Sequence, residues 1–216
     1  MMEMDRQLMY ICKGTPKDNL YNGAVFRSGI WKTQADELLV QEQQIEADQV
    51  ANPAYHGGPD RVVCLYPFEH YAHWEKVFGQ PLPISAFGEN ISASNMTEEQ
   101  VCIGDIFQIG DAVLQVSQGR YPCATINKRN NNNQLLKKVV ETGYTGYFFR
   151  VLQPGTIVPS STITLLSAHP AKVTVTSIHH LYFHEKNPPR STIERMLGVA
   201  ELAEPWRKIL LDKLQS

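Results

Sequence analysis

Apolar positions along the first 168 residues fall in short runs separated by turn residues. Residues 8–12 are apolar and strand-forming, and residues 61–66 are almost continuously apolar after Arg61, the pattern of a strand covered on both faces. Residues 105–109 and 112–117 flank Gly110-Asp111, which predicts a hairpin closed by a tight turn with positive φ at its first position. Residues 147–152 and 162–166 are expected to form another strand pair, with Pro154-Gly155 predicted to turn the chain between them. Two segments switch to helical spacing. Residues 67–78 open on a proline suited to the first helical position and stop at Gly79. Residues 134–140 follow Asn133 as a predicted cap, space their Leu and Val residues three and four apart, and run to Gly143. Many strands with few helices, and no regular strand–helix alternation, predict a mainly β architecture, closed or sandwich-like.

The pattern changes after His169-Pro170. Residues 177–184 take helical spacing, and Ser191-Thr192-Ile193-Glu194 reads as a capping box opening a short helix that Gly198 ends. Pro205 then starts a helix with Trp206, Ile209, Leu210 and Lys213 spaced for one face. The division predicted is a β domain over residues 1–170 and a three-helix, all-α appendage over 171–216. Three helices in about 40 residues bury little alone, so the appendage is expected to pack on the β domain or on a partner.

Composition narrows the class. The chain has 216 residues, 43% hydrophobic and 19% charged, enough for a packed core. A net charge of -2 gives no global attraction to a nucleic-acid polymer or an anionic membrane, so any basic site must be local. No run approaches the ~18–20 apolar residues of a membrane span, and the acidic N-terminus lacks a signal-peptide layout. Cys12, Cys64, Cys102 and Cys123 lie far apart with no Cys-x-x-Cys pair, which predicts free thiols in a reducing cytoplasm.

Three motifs carry chemistry. In His56-Gly57-Gly58-Pro59-Asp60-Arg61 the paired glycines expose backbone N–H groups, and Arg61 offers a fork for phosphate or carboxylate that Asp60 is placed to orient. An ordinary Gly-Gly turn with a surface ion pair would look the same. Cys123 follows a proline in a polar, loop-like run, with Arg120 before it and Lys128-Arg129 after it; nearby cations favour thiolate, both a nucleophile and a soft-metal ligand. The other three cysteines sit in apolar strand contexts and read as core. In Phe87-Gly88-Glu89-Asn90, Asn90 can present a donor and an acceptor to a heterocycle. The pairs His70/His73 and His180/His184 have metal-ligand spacing but lack a third ligand, so they read as solvated or capping histidines. Dinucleotide and P-loop glycine motifs are absent.

In this order the motifs, with Ile103-Gly104-Asp105 and the run from Gln115 to Cys123, resemble the MOSC family, the C-terminal domain of molybdenum-cofactor sulfurases. The tail resembles the three-helix extension of its YiiM-like branch. The resemblance implies a closed β-barrel-like domain and a molybdenum cofactor (molybdopterin), with Cys123 as the catalytic residue and metal ligand, or as a sulfur carrier. It implies that His56, Gly57, Gly58, Asp60, Arg61, Gly88, Glu89, Asn90, Arg120 and Lys128 bind the cofactor. It further implies an oxidoreductase acting on small N-hydroxylated compounds such as N-hydroxylated bases, fed with electrons by a separate reductase protein. No flavin, haem or iron–sulfur motif and no pyridoxal-phosphate domain is expected in this chain. The alternatives are a sulfur carrier with a persulfide on Cys123, or a non-catalytic cofactor-binding module; oligomerisation stays open. One departure stands out: relatives often carry Gly-Asp shortly before the His-Gly-Gly turn, where this chain has Ala47-Asp48.

Overall fold

A computed structural model describes residues 5–215. Strand β1 (Gln7–Lys13) leads into the hairpin β2 (Lys17–Tyr21) and β3 (Ala24–Ser28), then the short strands β4 (Thr33–Gln34) and β5 (Leu38–Val40). A one-turn helix α1 (Pro53–His56) and a 3-10 turn at Pro59–Arg61 precede β6 (Val63–Pro67), α2 (Glu69–Phe78) and β7 (Ile91–Ser94). The hairpin β8 (Ile106–Ile109) and β9 (Ala112–Gly119) is followed by α3 (Thr125–Asn130), α4 (Leu135–Thr142), β10 (Tyr147–Gln153), β11 (Gly155–Ile157) and β12 (Ile163–Ser167). The tail forms α5 (Val175–Phe183), α6 (Arg190–Leu197) and α7 (Glu204–Gln215). Among the described residues no helix is long and apolar enough to cross a membrane.

Eight strands form one curled sheet in the order β12-β8-β9-β10-β6-β7-β1-β4. The expected closed barrel does not form. Among the described residues β12 and β4 end this sheet, β5 and β11 pair with each other outside it, and the result is an open half-barrel. The expected pairing of residues 147–152 with 162–166 does not form: β10 pairs with β9 and β6, β12 pairs with β8, and at the predicted turn Gly155 opens β11 opposite Val40. Helix α2 begins at Glu69, as Pro67 is still in register with Ala93; the helix is the crossover of a parallel β6–β7 pair. Helix α4 lacks the predicted Asn133 side-chain cap but ends at Gly143, φ 74°. The capping box in the tail is not made either: α6 starts after Pro189, and Glu194 instead accepts from Arg190 Nε at 2.7 Å.

Alternation divides the sheet between two tasks. Val63, Leu65, Tyr147, Phe149, Leu114 and Val116 enter the main core, together with Ile178, Leu181, Ile193, Met196, Trp206 and Leu210 of the tail. The appendage therefore has no separate core; it completes that of the sheet. The opposite face carries a smaller cluster around Tyr66, Trp74 and Phe87 beneath α2, α3 and α4. Strand β9 serves both faces because its register slips by one residue: Phe149 opposes Val116, but Phe148 opposes Gln118. Ser117 is the extra residue of this bulge, and a bulge re-aims every side chain beyond it.

A buried carboxylate ties the first segment to the sheet. Asp48 accepts from the Gly14 N–H at 2.8 Å and from Asn90 Nδ2 at 3.0 Å, and pairs with the Lys32 ammonium. Both charged side chains are about nine-tenths buried. Ala47, directly before it, lies at φ 59°, where an L residue is strained and glycine is not. The turn that relatives often build with Gly-Asp is thus kept here with alanine in a left-handed conformation.

Removing the carboxylate would strand the Lys32 ammonium. Asp48→Ala is expected to cost about 3–5 kcal/mol in urea unfolding, and a loss below about 1 kcal/mol would mean that Lys32 reaches solvent. Ala47→Gly should instead stabilise by about 1 kcal/mol; a lowered melting temperature would contradict the assigned conformation.

Candidate functional site

The bulge at Ser117 builds the floor of a cleft. Beyond it Gln118 faces away from the main core, beside Phe148, which in turn opposes Cys64. Asn90 continues this row, its N–H bonded to the Cys64 carbonyl at 2.8 Å. Above the row lies a cavity of about 400 Å³. One wall comes from Phe26, Arg27 and Ser28 at the end of β3, another from His56 and Arg61, and a third from Arg120, Tyr121 and Cys123. Gly88 supports the floor. Its φ is 75°, and a Cβ there would meet Ile30 Cγ1 at 2.8 Å, so glycine meets both the conformational and the steric demand.

Charge in the cleft is mostly positive. Arg27, Lys32, Arg61 and Arg120 line it, and Asp48 is the one carboxylate among the lining residues, already paired with Lys32. Burial, then the charges of Arg120 and Arg61, hold the His56 imidazole below its ordinary pKa, so it is neutral at neutral pH. Phe26, Phe87, Tyr121 and Phe148 add aromatic surface. At the floor, Gln118 Oε1 is buried without a hydrogen-bond partner.

The cysteines separate by environment. Burial pushes the thiol of Cys12 up to about 12 and those of Cys64 and Cys102 up to about 11, so all three stay protonated at neutral pH. Cys64 nevertheless lines the cleft, and Arg120 Nη1 lies 3.9 Å from its sulfur. Cys123 is half-buried at the cleft wall.

Of the residues singled out in the sequence, His56, Arg61, Gly88, Asn90, Arg120 and Cys123 come together around the cleft, whereas Gly57, Gly58, Asp60, Glu89 and Lys128 do not line it. Asp60 does not orient Arg61. Successive residues of the 3-10 turn point about 120° apart, and the Asp60 carboxylate pairs with Arg150 at 2.7 Å. Glu89 is fully buried, accepting from Tyr10 Oη at 2.7 Å, from Tyr71 Oη and from the Phe87 N–H. Asn90 does not offer its amide to a ligand: Oδ1 takes the Cys64 N–H, and Nδ2 gives to the Cys12 carbonyl and Asp48. Lys128 sits 4.6 Å from the Phe26 ring centroid, bracing the cleft wall from outside. His70 and His73 diverge: His70 is buried, 2.7 Å from Glu98 and stacked on Tyr144, while His73 meets Trp74 edge-on. His180 pairs with Glu185 at 3.4 Å. Among the described residues no group of three or more His, Cys, Asp or Glu is placed to hold a metal ion.

Sequence reasoning missed the β2–β3 hairpin, which delivers Phe26 and Arg27. Its signal was Asn22-Gly23, both at positive φ, the residue pair that a two-residue turn between strands favours. Cys64 was missed because a continuous apolar run hides which side chain faces a cavity.

Residues 52–164 match the MOSC domain family, and residues 173–216 match the YiiM-like, 3-alpha helix domain. YflK of Bacillus subtilis is 40% identical over 202 residues, covering 93% of this chain and 90% of that protein. The protein YiiM of Escherichia coli is 35% identical, covering 85% of this chain and 83% of its own. A protein of Gibberella moniliformis named a reductase is 34% identical over 81% of this chain, but the match spans only 32% of that relative. The crystal structure of YiiM from Geobacillus stearothermophilus superposes with a TM-score of 0.82 at 31% identity, covering 97% of this chain and 99% of that one. MOSC is a family associated with the molybdenum cofactor. With a MOSC domain built around the cleft and a YiiM-like helical domain completing its core, this chain belongs to the MOSC family, in its YiiM-like branch.

Proposed function

We propose that this protein is a molybdenum-cofactor oxidoreductase that reduces N-hydroxylated compounds with electrons from a separate reductase protein. The observation that carries the reading is the convergence of Cys123 with Arg61 and Arg120 on one aromatic-lined, cationic cavity of about 400 Å³. A flat, conjugated, phosphorylated cofactor needs those features together: ring faces, fixed cations and a soft ligand. The buried, unpartnered Gln118 Oε1 adds an acceptor for an N–H of such a heterocycle.

When bound, the cofactor supplies two-electron redox chemistry and an acceptor for the hydroxyl oxygen. Overall, R–NHOH, two electrons and two protons give R–NH2 and water, the N–O bond breaking. This chain's residues bind and orient. Arg61 and Arg120 hold anionic oxygens, Cys123 offers its sulfur to the metal, and neutral His56 passes protons between solvent and the cleft through its imidazole. The aromatic rings limit water around the reacting group. The Gibberella relative, named a reductase, supports a reductive role for the region matched here.

Protein made in a host that synthesises the cofactor is expected to contain molybdenum and pterin. With chemical reductant it should convert hydroxylamines to amines. Cys123→Ser should abolish that turnover while keeping the melting temperature and the pterin; combined Arg61→Ala and Arg120→Ala should lose the pterin. A Cys123 adduct of about 32 Da in wild-type protein free of molybdenum would overturn the reading in favour of a sulfur carrier.

A further inference from the structure

The segment that carries Arg120 and Cys123 starts where β9 leaves the sheet, and the tail grips that point. The bulge at Ser117 and the strand end at Gly119 each turn a carbonyl off the regular ladder, and such groups need donors from elsewhere. The start of α7 supplies both. The Ala203 N–H donates to the Ser117 carbonyl at 3.0 Å, and the indole N–H of Trp206 donates to the Gly119 carbonyl at 2.9 Å. Trp206 is almost fully buried, so this bond has no water to compete with it.

A second grip comes from α5. The His179 imidazole fills the space where a side chain of residue 119 would stand: a Cβ on Gly119 would lie 2.3 Å from His179 Nε2. His179 is itself fixed, 3.0 Å from Thr145 Oγ1 through Nδ1 and packed against Trp206. Burial pushes its pKa down to about 4, with Glu98 and the Arg120 backbone pulling the other way; the ring is a neutral wedge at ordinary pH. Beyond Gly119, the Tyr121 ring meets Tyr182 and Phe183 of α5, each centroid 5.7 Å away. Tyr121 and Cys123 both line the cleft.

We propose that His179 and Trp206 of the three-helix extension are positioning residues that clamp Gly119 and thereby set the course of the Arg120–Cys123 segment into the cleft. The extension is on this view part of the reactive site's construction and more than a cover for the core. Neither residue touches the cleft, so each acts through the backbone it holds. The inference takes Cys123 as the reactive group of the proposed function, but its test needs no cofactor, and so the two can fail separately.

The test is the rate at which iodoacetamide alkylates Cys123 in the folded full chain, located by peptide mass spectrometry and followed against pH, with thermal melting alongside. Trp206→Phe keeps the packing and removes the N–H to Gly119. It is expected to raise Cys123 alkylation by about fivefold, the equivalent of one ordinary hydrogen bond, with Cys64 still protected and the protein still folded. Gly119→Ala should do the same by collision with His179, and His179→Ala added to it should bring the rate back toward wild type. Wild-type rates and pH profiles in both Trp206→Phe and Gly119→Ala would overturn the clamp. So would a failure of His179→Ala to rescue a folded Gly119→Ala protein, and so would Cys64 becoming reactive together with Cys123, which would mark general loosening.

Discussion

The extra residue at Ser117 lets one strand serve both the main core and the cleft. Before it, β9 sends Leu114 and Val116 into the main core; after it, Gln118 and Arg120 belong to the cleft. A strand without the bulge would keep its alternation and bury the wrong side chains on one face or the other. The bulge has a cost in unpaired backbone, and the neighbours meet it. The Ser117 hydroxyl lies within hydrogen-bond reach of the Asp60 and Phe148 carbonyls, and the tail donates to the Ser117 and Gly119 carbonyls. Half-barrel, His-Gly-Gly turn and helical extension thus meet at one short stretch of backbone.

Electrostatics follow from a second economy. Asp48 is paired within the protein with Lys32, and Glu89 is enclosed by two tyrosine hydroxyls, so the frame takes up both carboxylates. Asn90, which looks like a ligand-binding amide, joins the segments of Cys12, Asp48 and Cys64 instead. The frame takes up these polar groups, while Arg61 and Arg120 line the cavity wall. That arrangement makes an acidic chain locally anion-attracting.

Much of this was legible in the sequence because it rests on local signals. The β8–β9 hairpin, the strand at β6, the stop of α2 at Gly79 and the three tail helices all follow from periodicity and glycine placement. The ordered motifs indicated the family, and six of the residues named from them surround one cavity. What stayed hidden depends on long-range register. Nothing local tells Asp60 to pair with Arg150, 90 residues away, or tells β5 to pair with β11 so that the sheet stays open. The bulge is hidden too, since one extra residue in a β-prone run leaves no compositional trace. The role of Trp206 looked like ordinary amphipathic packing because its indole N–H finds its acceptor 87 residues away.

We proposed that the sulfur of Cys123 reaches a molybdenum held in this cleft. Molybdenum K-edge X-ray absorption on cofactor-loaded protein measures the sulfur neighbours of the metal directly. Wild type is predicted to show one sulfur neighbour more than Cys123→Ser loaded in the same host. An identical sulfur shell in the two proteins would contradict the claim.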